Sequence, residues 1–224
     1  KEEEVTEKYI KIWTQIAERF KNYDTKLLFE GLNEPRIVGS DDEWTGGTAE
    51  ERDVINHLLQ AFVDTVRNSG GNNSMRTLVI TTQAASVNES ALNGLVIPDD
   101  DNLILSLHHY APWKFTSYEF KDVKVFTKSD QEELNYEFDM LKSKFVDKGI
   151  PVIIGEFGAE NKDNTADRAA YYQYYLEAAA ERGIPCFIWD NNTPEGEGSY
   201  GIFNRSDCSW YYPEILEAIQ NAIR

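Results

Sequence analysis

Apolar residues along the chain follow two alternating patterns. Over residues 2–22, Val5, Tyr9, Trp13, Ile16 and Phe20 recur at three- and four-residue spacing, which predicts a helix with one buried stripe. Leu27-Leu28-Phe29 follows as a short apolar run. Thr48 and Glu51 then form a capping-box pattern ahead of Ile55, Leu58, Leu59, Phe62 and Val66, so a second helix starts near Thr48 and stops at Gly70-Gly71. Leu78-Val79-Ile80 and Leu103-Ile104-Leu105 read as strands. Ser129 and Glu132 make a second capping-box pattern for a helix carrying Leu134, Phe138, Leu141 and Phe145 and ending at Gly149. Pro151 precedes the run Val152-Ile153-Ile154. Residues 165–182 form a helix closed by Gly183. Pro185 precedes Phe187-Ile188-Trp189, and residues 213–223 form a last helix.

Helix and strand therefore alternate, with about five strands. The strands are short, apolar and not alternating, as expected of strands covered on both faces by helices. This predicts a parallel α/β fold. No Gly/Ser linker or low-complexity segment interrupts it, so residues 1–224 read as one domain. Long segments at 36–47, 83–101, 110–128 and 191–210 follow strands. In (β/α)8 barrels that end of the strands carries the active site. A closed barrel usually takes about 250 residues and eight strands. The chain thus reads as the last five strands of a barrel, strands four to eight, with a preceding segment expected as its partner.

Composition narrows the choice of partners. The net charge of −17 would repel nucleic acid and anionic membranes, so neither is expected to bind. No run of 18 apolar residues is present. Cys186 and Cys208 form no C-x-x-C pair. Cys186, in an apolar strand, reads as a small buried hydrophobe, and a disulfide between the two stays open. His57, His108 and His109 make no ligand set, and His57 falls on the polar face of its helix. No metal and no cofactor are expected.

The strand ends carry the chemistry. Glu30-Gly31-Leu32-Asn33-Glu34-Pro35 follows the first strand, and His108-His109-Tyr110 follows the third. Gly155-Glu156-Phe157-Gly158 follows the fourth, and Trp189-Asp190-Asn191-Asn192 ends the fifth. Glycoside hydrolysis needs two carboxyl groups, one protonated to release the leaving oxygen and one ionised to attack or to activate water. Each signal has a plainer reading when taken alone. Asn33-Glu34-Pro35 reads as a turn, Glu156 as a cap between glycines, His108 as a satisfied buried histidine and Trp189 as core. Their joint occurrence at one end of successive strands favours the chemical reading.

These motifs resemble family 5 glycoside hydrolases, a family of retaining barrel glycosidases. The carriers are Leu32-Asn33-Glu34-Pro35-Arg36, His108-His109-Tyr110, Ile154-Gly155-Glu156-Phe157-Gly158 and Trp189-Asp190-Asn191-Asn192. Residues 67–73 and 201–205 resemble its fourth subfamily, which contains endo-β-1,4-glucanases, xyloglucanases and lichenases. The resemblance implies Glu34 as acid/base and Glu156 as nucleophile. It implies Asn33 as donor to a sugar 2-hydroxyl, Tyr110 as the hydrogen-bonding partner of Glu156, and His108 as a group lining the same subsite. Trp189 would stack under a glucose ring, often followed by a cis peptide bond, and Asn191 would reach a sugar hydroxyl. Trp44 and Trp113 are further platform candidates. His109, pointing the other way, takes no role. The family also uses an arginine from strand two and a histidine from strand three, which have no counterpart in residues 1–224.

The expected activity is retaining hydrolysis of a β-glucan, whether cellulose, mixed-linkage glucan or xyloglucan. The implied protein is a secreted, extracellular bacterial enzyme, because a polymer cannot enter a cell. The alternative is a non-catalytic glucan-binding or folding fragment that is active only with the N-terminal part of the barrel.

Overall fold

The computed structural model describes residues 2–224. Contacts within the chain group it into two compact units, residues 1–107 and 108–224, with the division falling inside a strand. Sequence alone, lacking any linker signal there, predicts no such division. Among the described residues no helix is long and apolar enough to cross a membrane.

The first unit opens with α1 (Glu2–Phe20) and β1 (Phe29–Glu30). Next come α2 (Ala49–Asn68), β2 (Leu78–Ile80), α3 (Glu89–Gly94) and β3 (Leu103–His108). The strands pair in parallel, Phe29 opposite Leu78 and Leu78 opposite Leu103. Trp13 of α1 seals the unit, its ring 4.4 Å from that of Phe62 and 5.6 Å from that of Phe29. The apolar stripe of α1 is covered only from Tyr9 onwards. Val5 remains 50% exposed, because the covering rings lie at the level of Trp13.

Arg76 is fully buried in this unit. Its guanidinium donates to the carbonyls of Phe20, Tyr23, Asp24 and Leu27 and to Asn73 Oδ1, and lies over the Phe29 ring. One side chain thus satisfies the carbonyls that a helix end and the following turn leave over. No periodicity announces it.

The second unit contains α4 (Trp113–Thr116), α5 (Lys128–Lys144), β4 (Val152–Phe157) and α6 (Thr165–Ala180). β5 (Cys186–Ile188), the antiparallel pair β6 (Phe203–Asn204) and β7 (Ser209–Trp210), and α7 (Pro213–Ala222) complete it. Its core is aromatic. Phe157 stacks on Tyr175 at 4.1 Å and 6°, with Tyr171 and Tyr172 also fully buried.

The five parallel strands follow the order β1-β2-β3-β4-β5. A doubly wound sheet reverses direction at a switch point, whereas this order never does, which is the winding of a (β/α) barrel. β2 and most of β3 are buried as the apolar runs predict. The two edges differ: Leu28 before β1 is 42% exposed and Phe187 in β5 is 56% exposed. Edge strands lack a covering neighbour on one side, and apolar composition alone does not reveal that position.

Two caps depart from expectation. The box that opens α5 is Thr127 with Asp130, each side chain bonding the other's backbone, two residues ahead of Ser129 and Glu132. Thr48 caps α2 through the Glu51 amide, yet the Glu51 carboxylate accepts from the Ile37 amide instead of closing the box. The long segments also carry structure of their own, with α3 inside 83–101, α4 inside 110–128 and the β6–β7 pair inside 191–210.

Candidate active site

β1 delivers Glu34 through a tight turn. Gly31 begins it, and a Cβ there would lie 2.8 Å from the Phe62 ring and 2.9 Å from Tyr9 Oη, so a larger residue would push the turn away. Tyr9 Oη donates to the Gly31 carbonyl at 2.8 Å. Further on, the Ala84 amide donates to the Pro35 carbonyl at 2.9 Å. Ala84 and Ala85 hold φ of 53° and 51°, a region that non-glycine residues enter at a cost and that clusters near functional sites. Glu34 is half-buried, and Asn33 beside it is exposed.

Arg36 grips this turn from within. Its Nη1 donates to the Glu34 carbonyl at 2.9 Å and to Glu34 Oε2 at 3.3 Å, while Nε donates to Glu43 Oε1 at 2.9 Å. The Gly39 amide donates to the other Glu43 oxygen at 2.7 Å. That amide first, then the guanidinium, holds the Glu43 carboxyl below its ordinary range. The Trp44 ring, 59% exposed, packs 4.3 Å from the guanidinium.

β4 delivers Glu156 through an irregularity. Ile154 pairs with Cys186 and Phe157 with Ile188, so three steps on β4 oppose two on β5. Such a bulge turns a side chain off the regular alternation. The Glu156 carbonyl still accepts from the His109 amide at 2.9 Å, and the Phe157 carbonyl from the Trp189 amide at 2.8 Å. Tyr110 Oη donates to Glu156 Oε2 at 2.8 Å, and His108 Nδ1 lies 3.4 Å from the same oxygen. His108 and Tyr110 thus both meet Glu156, where the resemblance implies only Tyr110 as its partner. His109 turns the other way into the core, between Tyr175 Oη and Glu137 Oε2, each at 2.7 Å.

Trp189 follows β5 and is 41% exposed, so it is not buried in the core. The only cis peptide among the described residues is Ala111–Pro112, so the cis bond expected after Trp189 is not found. Asp190 anchors the segment instead. Burial alone would raise its pKa, but the amides of Ile202, Phe203 and Asn192, with Arg205, hold it below the ordinary value. Asn191 Nδ2 donates to the Gly198 carbonyl at 2.7 Å and its Oδ1 accepts from the Thr193 amide at 3.1 Å. Both bonds stay within its own loop. Trp113 is 51% exposed, its Nε1 donating to Glu119. Both cysteines are free, which closes the disulfide question. Cys186 is half-buried, and burial pushes its thiol up to about 12.

Parallel strands wound in sequence, with a tyrosine-held carboxylate and an exposed tryptophan at their ends, have the layout of a (β/α)-barrel glycosidase. Residues 1–195 match the model of the cellulase family, glycosyl hydrolase family 5. The chain belongs to that family, and within it to subfamily 4. Endoglucanase A of Clostridium longisporum is 46% identical over 224 residues, covering 98% of this chain and 43% of that protein. A subfamily 4 broad-specificity endoglucanase from Ruminococcus champanellensis, solved with bound cellotriose, is 43% identical with a TM-score of 0.93, covering 97% of this chain and 64% of its own. A xyloglucan-specific endo-β-1,4-glucanase from a metagenomic library, also with cellotriose, is 42% identical with a TM-score of 0.93, covering 98% and 65%. The chain thus spans less than half of the first relative and about two-thirds of the solved chains.

Proposed function

We propose that residues 1–224 belong to the single catalytic domain of a retaining endo-β-1,4-glucanase, with Glu34 and Glu156 acting on two sides of one glycosidic bond. The observation that carries this reading is the hydrogen bond from Tyr110 Oη to Glu156 Oε2 at the bulged end of β4. A phenolic donor fixes the direction of the carboxylate, as a nucleophile requires. In the first step Glu156 bonds to the anomeric carbon while Glu34 gives its proton to the departing oxygen. In the second, Glu34 takes a proton from water, which attacks the same carbon and releases Glu156. Trp189 supplies a flat apolar face for the ring, Asn33 donates to the 2-hydroxyl, and His108 lines the subsite.

The substrate is a β-1,4-linked glucan. Support comes from relatives solved with cellotriose, one described as broad in specificity and one as xyloglucan-specific. Exposed Trp44 and Trp113 on long loops favour a branched chain such as xyloglucan. The strand-two arginine and strand-three histidine of the family come from a preceding segment of the same barrel. A polymeric substrate places the enzyme outside the cell.

A 2-deoxy-2-fluoro-β-cellobioside with a dinitrophenyl leaving group tests the reading. The fluorine slows the second step, so the sugar accumulates as an ester. The expected result is one adduct on the peptide containing Glu156, and loss of glucanase activity by at least about 10³-fold in Glu156→Gln. An adduct on another residue, or an active Glu156→Gln variant, overturns it.

A further inference from the structure

We infer that Arg36 is a positioning residue for Glu34, and that Glu43 is the counter-charge that lets it serve as one. The inference rests on Glu34 being the acid/base. Its basis is a single guanidinium bound on both edges and covered on one face. Nη1 reaches both the carbonyl and the carboxylate of Glu34, at 2.9 and 3.3 Å, so one group bridges the backbone and the head of the same residue. That bridge restricts the torsions between them. The opposite edge is taken by Glu43 at 2.9 Å, and Glu43 is fixed in turn by the Gly39 amide at 2.7 Å and, through its carbonyl, by Gln83 Nε2 at 2.9 Å. Trp44 covers the face at 4.3 Å.

Exposed ion pairs contribute little, because water and side-chain entropy cancel them. This cluster differs: the Arg36, Glu34 and Glu43 side chains keep only 23%, 21% and 15% of their exposure. An uncompensated guanidinium beside Glu34 would favour its ionised form and oppose its work as an acid. The shorter bond goes to Glu43, which neutralises the cation. Arg36 then orients Glu34 by geometry without leaving a net charge next to it. The segment that supplies Glu43 and Trp44 thereby sets the posture of the acid.

The test separates acid-dependent from acid-independent bond cleavage in the full-length enzyme. A phenyl β-cellobioside needs proton donation to its leaving oxygen, whereas a 2,4-dinitrophenyl β-cellobioside does not. Arg36→Met is expected to lower kcat/KM for the phenyl substrate by about 10- to 100-fold, the scale of a roughly 1 Å misplacement, and to leave the dinitrophenyl value within about threefold. Arg36→Lys should fail to restore the phenyl value, because an ammonium cannot bond Glu34 and Glu43 in one plane. Glu43→Gln should show the same selectivity at smaller size, and it tests the inference even if the Arg36 variants fold poorly. Equal losses on both substrates, or none, overturn the inference. Glu34→Gln is the control: if it lacks the selectivity while the parent enzyme is active, the acid is another residue, and both this inference and the acid assignment fail. If it has the selectivity and the Arg36 variants do not, only this inference fails.

Discussion

The Tyr110 hydroxyl has one carboxylate oxygen to orient, and that makes its contribution measurable. Tyr110→Phe keeps the ring, which packs edge-on against Tyr200 at 5.5 Å, and removes the donor to Glu156. A hydrogen bond to a charged acceptor contributes about 1.5–3 kcal/mol, or roughly 10- to 150-fold in rate. The expected outcome is a fall of that size in kcat/KM on soluble β-glucan with little change in melting temperature. A loss below about threefold would mean that His108, 3.4 Å from the same oxygen, orients Glu156 by itself. Residues of this kind are legible because carboxylates, histidine and tyrosine recur together directly after successive apolar strands, although one of them, His109, serves the core. Arg36 was readable as a letter of its motif but not as a clamp. Nothing in the spacing says which acid of segment 36–47 folds back onto it. The loop bonds of Asn191 are likewise invisible in the spacing, since an amide with two hydrogen-bonding ends is as well served by its own loop as by a sugar.

At the scale of elements, buried charge ties loops to strands where no sequence pattern reports it. Lys162 is 2% exposed, and its Nζ donates to the carbonyls of Lys114, Phe120 and Val123 at 2.9, 3.1 and 3.2 Å. One ammonium therefore pins the segment that follows β3. Burial pulls its pKa from 10.5 to about 8, with Glu160 opposing. The sign of the consequence follows from linkage. Between pH 8 and 10.5 the unfolded chain holds the proton and the folded chain has lost it. Stability from this group therefore rises with pH across that window and is flat below it. Relative to Lys162→Met, the wild type is expected to gain at most about 3 kcal/mol between pH 8 and pH 10.5, less where the three carbonyls favour the ammonium. Denaturant melts of both proteins at several pH values in that range measure it, and a gap moving against the wild type would refute the assignment. Helices were the most legible elements, because their stripes repeat over many residues. Their starts were less so: Thr127-x-x-Asp130 and Ser129-x-x-Glu132 are both valid cap patterns two residues apart, and only the side-chain bonds decide between them.

Over the whole molecule, parallel winding was readable from the alternation of helix and strand, whereas the grouping into residues 1–107 and 108–224 was not, because its boundary lies within β3 instead of a linker. The same scale governs activity. The solved subfamily 4 chains are about half as long again as this one, which covers 64–67% of them. The strand-two arginine and strand-three histidine that the family resemblance implies have no counterpart in residues 1–224. Glu156 has Tyr110 and His108 as partners, so its orientation is set locally. Residues 1–224 alone are therefore expected to hydrolyse β-glucan at least about 10²-fold more slowly than they do with the first three β/α units of a subfamily 4 relative supplied in trans, the arginine's electrostatic contribution and the missing sugar contacts acting together. Mixing the two polypeptides and following reducing ends on barley β-glucan and on xyloglucan measures this. The signal should saturate at equimolar ratio and vanish when the added arginine is replaced by methionine. Full activity of residues 1–224 without any addition would instead show that Tyr110 and His108 suffice to orient Glu156.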